Sequence, residues 1–190
     1  MKKIATLLAG VFVLEPDVYG DVRGYFMECW SREKYAALGL DAVFVQDNES
    51  FSRHGVLRGL HYQLPPWSQS KLVRAITGTV LDVVVDIRRG SPTFGRHVAI
   101  ELSGETKRQV FVPRGMAHGF SILSETALFG YKCDNRYVPE SERGIAFDDP
   151  ALGIDWQLPP HEIILAEKDK HHPRLADAEL GDGPEAGQSL

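Results

Sequence analysis

Histidine is the side chain whose ordinary pKa lets it take and return a proton near neutrality, so its placement is read first. Two apolar stretches carry one each: Val56-Leu57-Arg58-Gly59-Leu60-His61-Tyr62-Gln63 and Val112-Pro113-Arg114-Gly115-Met116-Ala117-His118-Gly119-Phe120. Burying an imidazole without a partner is costly, so each is either a satisfied structural group or a working one. Singly, either would read as structural. As a pair beside Arg58, Lys71 and Arg114, they point to a site for proton transfer within a local basic pocket.

Such a pocket needs a frame, and the surrounding pattern is that of strands. Short runs rich in Val, Ile, Phe and Tyr alternate with Gly, Pro, Ser and Asp, which implies an all-β domain. Strands are expected over 10–14, 43–46, 56–63, 71–76, 79–87, 97–102, 109–112, 119–123 and 127–133, enough for a barrel or sandwich. In Leu81-Asp82-Val83-Val84-Val85-Asp86-Ile87, the odd positions share one apolar face while Asp82, Val84 and Asp86 share the other. The acidic face is either solvated or turned into a barrel that holds a ligand. One helix is expected over Arg32 to Leu38, with Ser31 as N-cap and Gly39 just past its end.

The chain has 190 residues, 43% of them hydrophobic, which suits a single domain able to bury a core. Lys+Arg 21 against Asp+Glu 26 leaves a formal charge of -5 and no bulk basic field to draw it to nucleic acid or an anionic membrane. Cys29 and Cys133 are too few for a disulfide framework, so a cytoplasmic setting is expected. The apolar run from Ile4 to Leu14 follows two lysines but is closed by Glu15-Pro16-Asp17 without a cleavage pattern. It reads as strand, not as a signal or membrane segment. From Arg174 large apolar residues become scarce, and a disordered tail over 174–190 is expected after a single domain over 1–173. That tail carries one basic and four acidic residues, so the body, with 20 basic and 22 acidic, is nearly neutral.

Pro113-x-Gly115-x-x-His118 resembles the second motif of the cupin superfamily of β-barrels. Metal-binding cupins carry His-x-His and a Glu in the first motif; here the corresponding stretch is His61-Tyr62-Gln63, too few imidazoles for a metal site. The His171-His172 pair lies near the expected tail with the wrong spacing for a pocket. A cupin-like jelly-roll barrel with a few short peripheral helices and no metal is therefore expected.

Several further motifs occur in order: Gly20-Asp21-x-Arg23-Gly24-Tyr25-Phe26-x-Glu28, Phe44-Val45-Gln46-Asp47-Asn48, Leu57-Arg58-Gly59-Leu60-His61-Tyr62-Gln63, Lys71-Leu72-Val73-Arg74, Gly90-Ser91-Pro92-Thr93-Phe94-Gly95 and Glu142-Arg143-Gly144-Ile145. Together they resemble the dTDP-4-dehydrorhamnose 3,5-epimerase family, over residues 10 to 173. The resemblance implies a cofactor-independent isomerase acting on dTDP-4-keto-6-deoxy-D-glucose. Its C4 ketone acidifies the hydrogens at C3 and C5, so a proton leaves one face and another returns to the opposite face through an enolate.

By the same resemblance His61 matches the general base, Asp169 the carboxylate partnering it, Lys71 a cation near the sugar and Tyr131 the proton donor. The phenol would suit donation if an adjacent cation lowered its pKa. Arg23, Arg58, His118 and Lys168 match substrate-lining positions and are basic groups suited to a diphosphate; Gln46 and Asn48 suit amide contacts to the nucleotide or sugar; Phe26, Glu28 and Glu142 match further substrate-lining positions, and Tyr137 matches a residue that stacks on the thymine. Arg58 and His61, three apart, would face opposite ways on a regular strand unless Gly59 hosts a bulge. The resemblance also implies a homodimer in which the N-terminal region reaches the neighbouring subunit.

The chain departs from the family pattern at Lys132-Cys133-Asp134-Asn135-Arg136-Tyr137, at Gly130 and Glu49, and in Ser68-Gln69-Ser70. These leave substrate placement open, and with it two alternatives to the 3,5-epimerase: a 3- or 5-monoepimerase of a related nucleotide 4-keto sugar, or a non-catalytic sugar-binding cupin.

Overall fold

The computed structural model describes residues 1–181. Among the described residues the chain forms thirteen strands: β1 Lys2–Ala5, β2 Phe12–Glu15, β3 Val18–Asp21, β4 Gly24–Met27, β5 Gln46–Arg53, β6 Leu57–Gln63, β7 Lys71–Thr77, β8 Thr79–Asp86, β9 His97–Ser103, β10 Gln109–Val112, β11 Met116–Ile122, β12 Thr126–Cys133 and β13 Glu142–Gly144. They form a six-stranded sheet, β1-β2-β10-β7-β12-β5, a five-stranded sheet, β13-β6-β11-β8-β9, and a separate β3–β4 hairpin. Every pairing is antiparallel, and the two large sheets face each other as a cupin-like jelly roll. The single α-helix among the described residues, α1 Arg32–Ala37, has Ser31 as its N-cap. Gly39 follows it at φ +77, a conformation that only glycine adopts without strain.

The period-two pattern sets which side chains face inward. From the six-stranded sheet Val73, Ala75, Val110, Val112, Ala127 and Phe129 point between the sheets. They meet Val80, Val84, Phe120 and Ile122 from the five-stranded sheet, with the Phe120 and Phe129 rings 4.3 Å apart. Each of the Val, Ile and Phe side chains among them stabilises the fold by about 2 kcal/mol on burial. The opposite face of β8, Leu81, Val83 and Val85, is buried too, beneath the chain after β13, including Ile145, Trp156 and Leu175. Both faces of this strand are therefore covered, and the Asp82 face turns into the barrel rather than into solvent.

Three expectations need correction. The strand expected over 43–46 instead begins at Gln46 and runs to Arg53. Its inward residues, Gln46, Asn48 and Ser50, line a polar cavity, so hydropathy gave no sign of it. The β3–β4 hairpin was not among the expected strands; it packs on neither sheet, and its Tyr19, Tyr25 and Phe26 are exposed. The change in composition at Arg174 does not end the packed chain. Leu175, Ala178 and Leu180 are buried against the five-stranded sheet, and Tyr62 donates to the Glu179 carbonyl at 2.7 Å. Three small apolar side chains at irregular spacing were enough to anchor a stretch that is otherwise polar. The rest of the expected tail, 182–190, lies outside the described residues.

Candidate active site

A cavity of about 490 Å³ opens at one end of the barrel between the two sheets. Its residues follow from strand parity. On β12, Tyr131 and Cys133 continue the inward series of Ala127 and Phe129; on β7, Lys71 continues that of Val73 and Ala75. Cross-strand register then sets Lys71 beside Cys133, Asn48 beside Tyr131 and Gln46 beside Cys133.

The other wall depends on an irregularity in β6. Leu57, Leu60 and Tyr62 pack outward, while Arg58 and His61 both line the cavity, which a regular strand would forbid. The pairing with β11 shifts register between His118 and Phe120, and the extra residue on β6 is absorbed at Gly59. Gly59 has φ +117, and a Cβ there would lie 2.6 Å from Gly119 Cα and 2.7 Å from the His118 carbonyl oxygen. Only glycine permits this bulge.

His61 Nε2 lies 2.7 Å from Asp169 Oδ1, and Asp169 is 2% exposed. The carboxylate arrives on the short 3-10 segment Glu167–His171, so a separation of more than a hundred residues closes into one hydrogen bond. Burial works to raise the Asp169 pKa, but the His61 hydrogen bond and charge, the Gly59 N–H and His172 outweigh it and hold the carboxyl below its usual range. With Nε2 on the carboxylate, Nδ1 is the His61 ring nitrogen left outside that contact. His118 Nε2 is likewise 2.7 Å from Asp82 Oδ2, deeper in the barrel.

Burial pushes the Lys71 ammonium below its ordinary pKa, against the opposing influence of Cys133, Asp82 and Glu142. Tyr131 moves the other way from the sequence expectation. Burial raises its phenol pKa and outweighs the lowering influence of Arg58, so the hydroxyl keeps its proton. Lys168 donates to both Glu142 oxygens, at 2.9 and 2.8 Å, and Tyr137 donates to Glu142 at 3.0 Å. Gln46 Oε1 accepts from the Tyr137 backbone N–H at 3.0 Å, and Arg58 donates to Ser52 Oγ at 3.1 Å.

The structure thus gathers His61, Asp169, Tyr131, Lys71, Gln46, Asn48, Arg58, His118, Tyr137, Glu142 and Lys168 around one cavity. It does not bring Arg23, Phe26 or Glu28 there from the same chain. Arg23 sits at the hairpin tip paired with Asp21, Phe26 is exposed on β4, and Glu28 pairs with Lys34 at 2.9 Å.

Three residues outside the sequence-based set also belong to the site. Cys133 lines the cavity, as the parity of β12 could have shown. Gln63 accepts from Val138 N–H at 2.6 Å and donates to the Trp67 and Arg136 carbonyls, fixing the loop that carries Tyr137. His172, set aside with the tail, stands beside His61 with the two ring centroids 5.6 Å apart. His61, Asp169 and His172 bring three ligand-type atoms within 4.8 Å of one another. Both Nε2 atoms already converge on the same carboxylate oxygen, which is the arrangement of hydrogen-bond donors around an acceptor rather than of lone pairs around a cation.

A jelly-roll barrel holding a histidine–carboxylate pair, a half-buried lysine and a protonated phenol around one cavity defines a proton-transferring isomerase of the cupin type. The chain belongs to the dTDP-4-dehydrorhamnose 3,5-epimerase family, whose sequence profile matches residues 5–177. It is 48% identical over 180 residues to the dTDP-4-dehydrorhamnose 3,5-epimerase of Shigella flexneri, covering 94% of this chain and 98% of that one. The crystal structure of the enzyme of that name from Elizabethkingia anophelis superposes with TM-score 0.89 at 50% identity, covering 93% of this chain and 97% of the other. The dTDP-6-deoxy-D-glucose-3,5-epimerase of Legionella pneumophila, solved in complex with dTDP-4-keto-L-rhamnose, gives 0.89 at 49% identity over 92% and 93%.

Proposed function

We propose that the protein epimerises dTDP-4-keto-6-deoxy-D-glucose at C3 and C5 to dTDP-4-keto-L-rhamnose, without a redox cofactor. The observation that carries this reading is the origin of the two proton-transfer groups. His61 comes from the five-stranded sheet and Tyr131 from the six-stranded sheet, so base and acid face one another across the cavity. Inversion at carbon requires that arrangement, since the proton must leave one face of the sugar and return to the other.

His61 Nδ1 takes the proton alpha to the ketone, and Asp169 stabilises the imidazolium that forms. The C–H electron pair moves into the enolate, whose oxygen lies against the Lys71 ammonium. Tyr131 then delivers its phenolic proton to the opposite face and recovers one from solvent. Arg58, His118 and Lys168 supply positive or hydrogen-bonding groups for the diphosphate, Gln46 and Asn48 contact the sugar nucleotide, and Tyr137, braced by Glu142, stacks on the base.

Arg23, Phe26 and Glu28 complete the pocket from a second copy of the chain. In support of a homodimer, the hairpin exposes Tyr19, Val22, Tyr25 and Phe26, an apolar surface of the kind that marks an interface. No helix among the described residues is long and apolar enough to cross a membrane, and two free cysteines accord with a cytoplasmic setting.

The deciding experiment is incubation with dTDP-4-keto-6-deoxyglucose in deuterated water, following C3 and C5 by NMR. Exchange with inversion at both carbons is expected. Exchange at one carbon would make the protein a monoepimerase, and none at either would overturn the reading.

A further inference from the structure

His172 is the one titratable group against the His61–Asp169 pair that the proton-transfer scheme leaves without a task. It follows directly on the 3-10 segment carrying Asp169 and precedes Pro173, which disfavours helix at the residue before it. His172 accordingly adopts φ -65 and ψ 143, and its ring turns back over β13. There it rests on Gly144, the residue directly opposite His61 in the β13–β6 ladder. A Cβ on Gly144 would fall 2.3 Å from His172 Nε2, so glycine at this position is what makes room for the ring.

The ring meets His61 edge to face, at an interplanar angle of 83°. Its Nε2 is 3.3 Å from Asp169 Oδ1, the same oxygen that His61 Nε2 approaches at 2.7 Å. With 15% of its side chain exposed, His172 is more enclosed than His61, at 23%.

We propose that His172 is a positioning residue of the proton-transfer site: its Nε2–H donates to Asp169 Oδ1, pinning that carboxylate against His61 and drawing off part of its charge. The arrangement is a His–Asp–His set in which one imidazole works and the other sets how strongly the carboxylate holds the working one's proton. Burial and the neighbouring His61 push the His172 pKa down, so this ring serves as a neutral donor, Asp169 acting in the opposite sense.

The other charges facing His61 do not duplicate this role. Lys168 is held by Glu142, and Glu142 faces His61 from β13. Arg58 is held by Ser52, His118 by Asp82, and Lys71 stands on the opposite sheet with the Tyr131 phenol. None of these hydrogen bonds reaches Asp169.

Removing the donor at 172 leaves the carboxylate charge to His61 alone, and its imidazolium becomes more stable. In His172→Phe, which keeps a flat ring over Gly144, the acid limb of the pH–rate profile should move up by about half a unit, roughly threefold less free base on that side. His172→Gln, whose amide N–H replaces Nε2–H, should stay within the wild-type profile. Should phenylalanine not be accommodated, as judged by circular dichroism, His172→Leu makes the same comparison.

The inference rests on His61 as the base, so each variant is also titrated by 15N NMR of the histidine rings, which needs no substrate. A wild type without exchange activity would sink the functional reading, whereas an unmoved His61 ring titration in His172→Phe would sink this one. Equal loss of rate in His172→Phe and His172→Gln, with the acid limb unmoved, would likewise mark His172 as packing only.

Discussion

His61 and His118 are direct cross-strand partners on β6 and β11, and each holds a buried carboxylate oxygen at 2.7 Å, Asp169 for the first and Asp82 for the second. The pairs look alike but differ in what remains if the imidazole is removed. Asp169 would keep the His172 contact and the Gly59 N–H, whereas Asp82 Oδ1 is already buried without a partner. His118→Asn should therefore cost about 3 kcal/mol of stability by stranding a buried carboxylate. His61→Asn should cost less than 1 kcal/mol and abolish isotope exchange. Urea unfolding of both variants, beside the exchange assay, checks this; equal destabilisation would show that the two pairs are equivalent.

Tyr131 separates removal of the proton from its return. Its raised phenol pKa makes it a donor rather than a base, so Tyr131→Phe should still wash deuterium into the substrate through His61. Net inversion should fall by about a hundredfold, the scale of one general acid. If washout and inversion fall together, Tyr131 does not act on the return step.

The hairpin gives a test that separates protomers. Arg23 is exposed at its tip, and neither Arg23 nor Phe26 reaches the cavity of its own chain. If each pocket is completed by the neighbouring copy, mixing the Arg23→Ala and His61→Asn proteins and refolding them together should restore up to about a quarter of wild-type activity, from the sites in mixed dimers that are intact. Activity no higher than the sum of the parents would show that the hairpin serves its own chain or none.

The barrel strands were legible as runs rich in Val, Ile, Phe and Tyr bounded by turn residues, and parity within each run sets its inward face. Lys71, Tyr131 and the Gln46–Asn48 pair could be assigned a common inward face from parity alone. What escaped was structure stabilised by something other than apolar alternation. β5 lines a polar cavity, the β3–β4 hairpin has no sheet to pack on, and residues 175–180 are held by three isolated apolar side chains. At Gly59 the sequence offered a bulge only as an alternative, since the reason glycine is needed is the backbone of Gly119 on the neighbouring strand. His172 was set aside for a related reason: His61, the ring it stands against, is brought beside it only by the fold.

Asp86 tests the electrostatics of the frame itself. It closes β8 with a fully buried side chain that accepts from Arg88 Nη2 at 2.7 Å and from Ser91 and Thr93 hydroxyls at 2.6 Å each. Burial alone would raise its pKa. The hydrogen bonds from Arg88, Ser91 and Thr93 win and bring it from 3.8 to about 2. A carboxyl lowered on folding stabilises the native state above its unfolded pKa, and that contribution drains away as pH falls through the folded one. The window here lies between about pH 4 and pH 2, and the contribution is about 2 kcal/mol. Asp86→Asn retains the shape but not the charge. Its stability deficit against the wild type, measured by urea unfolding, should be about 2 kcal/mol at pH 5 and shrink steadily towards pH 2. A deficit that stays constant across that range would mean that packing, and not the carboxylate charge, holds the turn after β8.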